Sequence, residues 1–411
     1  LSLLALVAAG CAATTTVPTS TAEPTTGATA STVPVSTPEP TVVPPPSSAT
    51  GAAGLRSTLA RLLTEHVYLA SAATGSALAG RSEAFNGAVG SLEVNSIELS
   101  LVIGTIYGPQ AGNQFLELWR RHIGFVVDYT TGLATDDQAM ADAAVEALLG
   151  YTFEFGDFLH AANPNLDSDV VADLVEEHIL TLKAVIDAQA SGNPAAAYTA
   201  FRMAAGHMDS IAAPLAGAIA VQFPAAFSGT ASSPPAGLRT RLTVLLGEHV
   251  ALASEATGAA LAGRQADFDA AAASLDANSV DLSAAIGSVY GDEAGNQFLD
   301  LWRRHIGFVV DYTTGLATGD QAKADDAVEA LLAYTFEFGD FLNAANPNLD
   351  SDVVADLVEA HILTLKAVID AQAGGDPAVS YAAVRTAIGH MPMIADPLAE
   401  AIVVQFPGMF R

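Results

Sequence analysis

Three features of the chain predict an all-α protein. The segment "LWRRHIGFVVDYTTG" stands at residues 118–132 and again, unchanged, at 301–315, so the chain carries a duplicated unit. Within that unit Leu, Val, Ile and aromatic residues recur every three or four positions, the period of a helix with one buried face. Proline, glycine and Asn/Asp signals punctuate it at roughly 25-residue intervals, as in long helices joined by short turns. Such connections favour antiparallel neighbours. The expected architecture is two tandem up-and-down helical bundles, about six helices each, behind a disordered Pro/Thr-rich stalk.

Composition sets the limits. Of 411 residues, 51% are hydrophobic, enough for a large core, and the net charge is −29. That charge argues against binding nucleic acid, which needs a basic footprint. It suits an acidic solvated surface and, secondarily, a mild attraction for cations. The single cysteine, Cys11, ends the run "LSLLALVAAGC", which resembles the end of a bacterial lipoprotein signal. Residues 1–11 are therefore expected to be a signal remnant with Cys11 as the lipidation site. The protein would then be extracytoplasmic and held to a membrane by that anchor. No later segment looks like a membrane span, and one cysteine allows neither a disulfide nor a thiolate metal site.

The elements follow in order. Residues 12–53 are rich in Thr, Pro, Ser and Ala and are expected to form an extended stalk, at about 3.1 Å per residue. Gly54–Pro224 aligns without a gap to Gly237–Pro407 at a constant offset of 183, joined by "AAFSGTASSPPA" at 225–236. Two domains, 54–224 and 237–407, are expected to behave as beads on a string. Helices in the first copy are predicted at 55–80, 82–106, 109–131, 136–161, 168–190 and 194–222. Pro109 opens the third after Gly108. Thr135 or Asp136 can cap the fourth, Asp167 the fifth, and Asn193-Pro194 opens the sixth, matched by Asp376-Pro377.

Eight of the nine histidines form four pairs at the repeat offset: His66/His249, His122/His305, His178/His361 and His207/His390. Only His160 has no partner, because Asn343 replaces it. Each paired histidine belongs to an apolar stripe, as in Leu55, Leu59, Leu62, His66 and Leu69, or Phe115, Leu118, His122, Phe125 and Tyr129. Each lies 10 to 13 residues into its helix, roughly 15–20 Å from the end. Inward-facing at one depth on four helices, they are expected to form a single polar layer. Asn95 and Glu98, with Asn278 and Asp281 in the second copy, fall at a similar depth on the second helix.

Clustered imidazoles on bundle helices are ready ligands for zinc, copper, nickel or iron. The candidate metal ligands are His66, His122, His178 and His207 with Glu98, and His249, His305, His361 and His390 with Asp281. The main alternative is a metal-free structural or interaction module whose core histidines hydrogen-bond to one another. A third reading is a pH-responsive element. Retention of His122 and His178 decides little, since only 7 of 79 positions differ between 112–190 and 295–373. His66 and His207 persist in more diverged stretches. No nucleophile or acid–base constellation is present, so an enzyme is the weaker class, although an open coordination position would support redox or hydrolytic chemistry. Trp119 and Trp302 are assigned to the core or a groove.

The motifs "EHV", "GNQFLELWRRHI", "FLHAANPN" and "EEHILTLK" resemble a little-characterised family of secreted or surface helical domains of bacteria. The resemblance spans each copy. It implies an all-helical domain at the cell surface with pattern histidines at His66, His122 and His178, and implies no activity.

Overall fold

The structure, a computed structural model, describes residues 45–411. Among these residues it contains twelve α-helices and no strand. The first copy supplies α1 (Gly51–Leu78), α2 (Ser82–Tyr107), α3 (Pro109–Ala134), α4 (Gln138–Ala162), α5 (Ser168–Ala190) and α6 (Pro194–Gln222). The second supplies α7 (Pro234–Leu261), α8 (Gln265–Tyr290), α9 (Asp292–Thr318), α10 (Gln321–Ala345), α11 (Ser351–Ala373) and α12 (Pro377–Gln405). Cys11, the signal-like run and the stalk up to residue 44 lie outside the described residues.

Several helix ends follow from local chemistry. Asp167 accepts from the Asp169 and Val170 amides to cap α5, and Asn193 caps α6 through Ala196. The α4 cap is Asp137, one residue beyond the two expected candidates. Asp136 instead takes a left-handed backbone, φ 56°, where the second copy has Gly319 at φ 70°. Left-handed geometry is strained for a residue with a Cβ. Asp136→Gly is therefore expected to stabilise the protein by about 0.5 kcal/mol, read as a higher denaturant midpoint.

The predicted stalk ends earlier than residue 53. The hydroxyls of Ser47 and Ser48 donate to Glu400 at 2.9 and 2.7 Å, and Thr50 caps α1. These contacts with α12 start the helix at Gly51 rather than at 55.

The beads-on-a-string expectation is replaced. Residues 45–411 form one compact unit, in which α1 lies against α7, α2 against α12 and α6 against α8. The reason is that α1 has more than one buried face. Besides the leucine stripe, it buries Ser57, Thr64, Glu65 and Tyr68. The Ser57 hydroxyl lies 2.9 Å from that of Thr243. The interface is reciprocal, as in a twofold contact. Arg56 donates to the Ala231 carbonyl at 2.8 Å, and its equivalent Arg239 donates to the Ser48 carbonyl at 3.1 Å.

Two charge clusters complete the seam. Arg202 of α6 pairs with Glu248 at 2.8 Å and Asp281 at 2.5 Å. Its equivalent, Arg385 of α12, pairs with Glu65 at 2.6 Å and Glu98 at 2.8 Å. Contrary to the sequence expectation, α2, α6 and α12 are long and apolar enough to cross a membrane by length and composition. In this structure those three helices pack along the seam between the copies.

Candidate metal centre

His66 comes from α1, His122 from α3 and His178 from α5, each on the buried stripe of its helix. The close approach of α2 and α3 helps set the depth of His122. A Cβ on Gly112 would lie 2.7 Å from the Ser100 carbonyl oxygen, so only glycine fits there. The three imidazoles are buried and offer one nitrogen each, all within 4.8 Å of one another. Nε2 of His66 and Nε2 of His122 are 3.5 Å apart. Tetrahedral zinc, with Zn–N bonds of about 2.0–2.1 Å, holds its ligand nitrogens about 3.4 Å apart. Closing the remaining gap requires only small side-chain adjustments.

The second copy builds the same centre from His249, His305 and His361. Ring centroids in the first triad are 5.3, 5.8 and 6.5 Å apart, and in the second 5.3, 5.7 and 6.4 Å. Two buried triads that can hold a metal ion geometrically are therefore part of this fold.

The repeated "LWRRHIG" segment is now explained. Trp119 and His122 share a helix face, and the Trp119 ring lies 4.8 Å from His66 and 4.5 Å from His122. Arg120 and Arg121 point the other way, to Glu93 and Glu154. Tyr151 of α4 stacks on His122 at 5.4 Å, as Tyr334 does on His305. These tyrosines escaped sequence reasoning, because they stand in an aromatic segment that reads as ordinary packing.

Burial depresses all six imidazole pKa values. His122 and His305 fall to about 3, through desolvation first and a neighbouring histidine second. His178 and His361 fall to about 4 for the same reasons, and His66 and His249 lie well below their ordinary value. The rings are thus neutral and able to coordinate at pH 7. They are also short of partners. Nδ1 of His66, His122 and His178 makes no hydrogen bond to protein, nor does either nitrogen of His249 or His305. A structural network would have to satisfy these atoms, since buried polar groups are nearly always paired.

A pH prediction follows for the metal-free protein. A histidine whose folded pKa is depressed below about 6.5 is protonated more readily in the unfolded chain. Its stabilising contribution is complete above the unfolded pKa and is lost as pH falls toward the folded value. Stability should decline between pH 6.5 and about pH 3–4, by up to about 1.4 kcal/mol per pH unit for each imidazole. Denaturant unfolding at a series of pH values measures this.

Four expected ligands are not in the triads. His207 Nε2 donates to the Leu174 carbonyl at 2.9 Å and His390 to that of Leu357 at 3.0 Å. Both sit beside the centre, tied to backbone. Glu98 and Asp281 belong to the charge clusters of the seam, because their position on α2 and α8 faces the other copy. Asn95 likewise donates to Glu65 at 3.2 Å, and Asn278 to Glu248 at 2.6 Å, rather than to a histidine. His160, the unpaired histidine, donates to the Leu166 carbonyl at 2.6 Å, and Asn343 makes the same bond to Leu349.

The charge clusters were also missed at sequence level, although a signal existed. Arg202 and Arg385 stand at equivalent positions and are the only Lys or Arg residues of their alanine-rich helices. No protein family, curated protein or solved structure matches the chain.

Proposed function

We propose that this is a lipid-anchored, extracytoplasmic metal-binding protein, with one six-helix bundle per copy and one transition-metal ion per histidine triad. Sequestration or sensing of metal at the cell envelope would follow. The observation that carries the reading is the convergence of three buried, neutral imidazoles whose Nδ1 atoms have no protein partner. The envelope placement rests on Cys11 and the Thr/Pro stalk alone.

The donor set narrows the metal. Three imidazoles suit zinc, copper or iron, and neither triad includes a carboxylate. A divalent ion would bring two uncompensated charges into an apolar layer, at a large desolvation cost. Cu(I), or a divalent ion carrying a hydroxide in its fourth position, lowers that charge. Three protein ligands with one position left over is the pattern of reactive rather than purely structural zinc sites.

Metal analysis after loading the full chain with zinc, copper or iron tests the proposal. Two ions per chain are expected, and none in a variant with all six triad histidines changed to Gln. An ion at 100 times its dissociation constant should add about 2.7 kcal/mol of stability per site. Equal metal content in the two proteins, or no thermal shift with any of the three metals, refutes the reading.

A further inference from the structure

We propose that each metal centre is reached through an apolar chamber whose occupant is a small, largely non-polar molecule bearing one metal-ligating atom. This rests on the metal reading above. A chamber of about 300 Å³ lies between α1, α2 and α3, with His66 and His122 among its lining residues. The second copy has its equivalent, about 230 Å³, lined by His249 and His305 between α7, α8 and α9. Val127 and Thr131 line the first chamber and are exposed, as are Val310 and Thr314 in the second. The chambers therefore lead from solvent to the sides of the imidazole rings, whose Nδ1 atoms are themselves covered. On the opposite side of the first triad, Trp119, Tyr151 and Phe155 leave only about 50 Å³. The route with room for a ligand is on the α1–α2–α3 side.

The chain makes this space by its choice of residues. Before the histidine layer, the core stripe of α1 is Leu55, Leu59 and Leu62. After His66 the same 4,3,4 spacing continues as Ala70, Ala73 and Ala77, and all three line the chamber. Ala253, Ala256 and Ala260 repeat the pattern. One side of the layer is filled and the other is left open.

The walls define the ligand class. Thr130 and Thr131 spend their hydroxyls on the Val126 and Val127 carbonyls, both at 2.8 Å, and Thr74 bonds Gln189 at 2.8 Å. Thr313, Thr314 and Thr257 do the same in the second copy. The threonines thus offer methyl groups, and the inner end is closed by imidazole rings whose Nδ1 atoms are covered. Arg264 and Gln265 beside the second chamber are held by Asp267 and Asp269. A sugar or a nucleotide would lose its hydration there without replacement. An apolar cavity of about 150 Å³ holds a benzene, so a space about twice that size takes a one- or two-ring molecule. Its single donor atom would fill the fourth coordination position.

The test uses the full chain loaded with cobalt(II), whose visible absorption reports the fourth ligand, and 4-phenylimidazole as the probe. The probe is expected to change the cobalt spectrum and to bind at least tenfold more tightly than imidazole. Narrowing the mouth with V127W and V310W, at exposed positions, should weaken the probe at least tenfold while cobalt stays bound. Filling the interior with A73L and A256L should do the same. Cobalt binding with a spectrum that ignores the probe overturns this proposal alone, as does equal affinity for imidazole or for the narrowed variants. Failure to bind cobalt, and zinc, copper and iron as well, overturns the metal reading together with it.

Discussion

Replacing His122 by Gln is expected to cut the bound metal from two ions per chain to one, while His207→Gln leaves both. The two substitutions look alike in sequence, since both histidines lie mid-helix on buried stripes. Their surroundings differ. His122 faces His66 and His178 with no protein partner for Nδ1, whereas His207 Nε2 already donates to Leu174 O. Losing that hydrogen bond should cost about 1 kcal/mol of stability without touching the ion. Losing His122 removes one of three ligands, and a two-imidazole remnant holds a metal far more weakly. The second triad is the internal reference, because His305 stays intact. Metal content by elemental analysis decides the point. Two ions retained in the His122 variant would contradict the assignment.

The second large effect concerns the seam between the copies. Arg202→Met is expected to destabilise the protein by about 3–5 kcal/mol, the range for stripping one partner from a buried ion pair. Glu248 is buried, and Arg202 is its one arginine partner, with Asn278 donating as well. Burial already raises the Glu248 pKa despite the opposing pull of Arg202. Without the arginine the carboxylate must either stay charged in an apolar seam or take up a proton. The equivalent change, Arg385→Met, should cost less, because Glu65 keeps Arg61 at 3.1 Å. Pairing Arg202→Met with Glu248→Leu should recover most of the loss, since the buried carboxylate is gone and the Asp281 left without its arginine is half exposed to water. Urea unfolding of the four proteins measures all of this. Equal losses for the two arginine variants would show that the local partners do not set the cost.

The seam also tells how the halves cooperate. Each copy donates one arginine, Arg202 or Arg385, to two carboxylates of the other. Glu65 and Glu248 stand next to the metal-candidate His66 and His249 in sequence but on another helix face. The same helix thus presents a histidine to its own copy and a glutamate to its neighbour. Changes at the seam are expected to act on stability before they act on metal.

Much of the molecule was determined by its own sequence. Helix positions, the Asp167 and Asn193 caps and the inward direction of His66, His122 and His178 all follow from interactions within a few residues. Periodicity and capping are local, so they can be seen in a linear string. What only the tertiary structure decided is where each helix turns its second face. The copies appeared to be separate beads, yet α1 packs on α7, because Glu65 and Tyr68 are buried against elements far away in the chain. His207 and Glu98 shared the right depth but not the right azimuth, which depends on how neighbouring helices cross. Stripe and depth give two coordinates of a side chain, and convergence on a metal needs the third, which packing alone supplies.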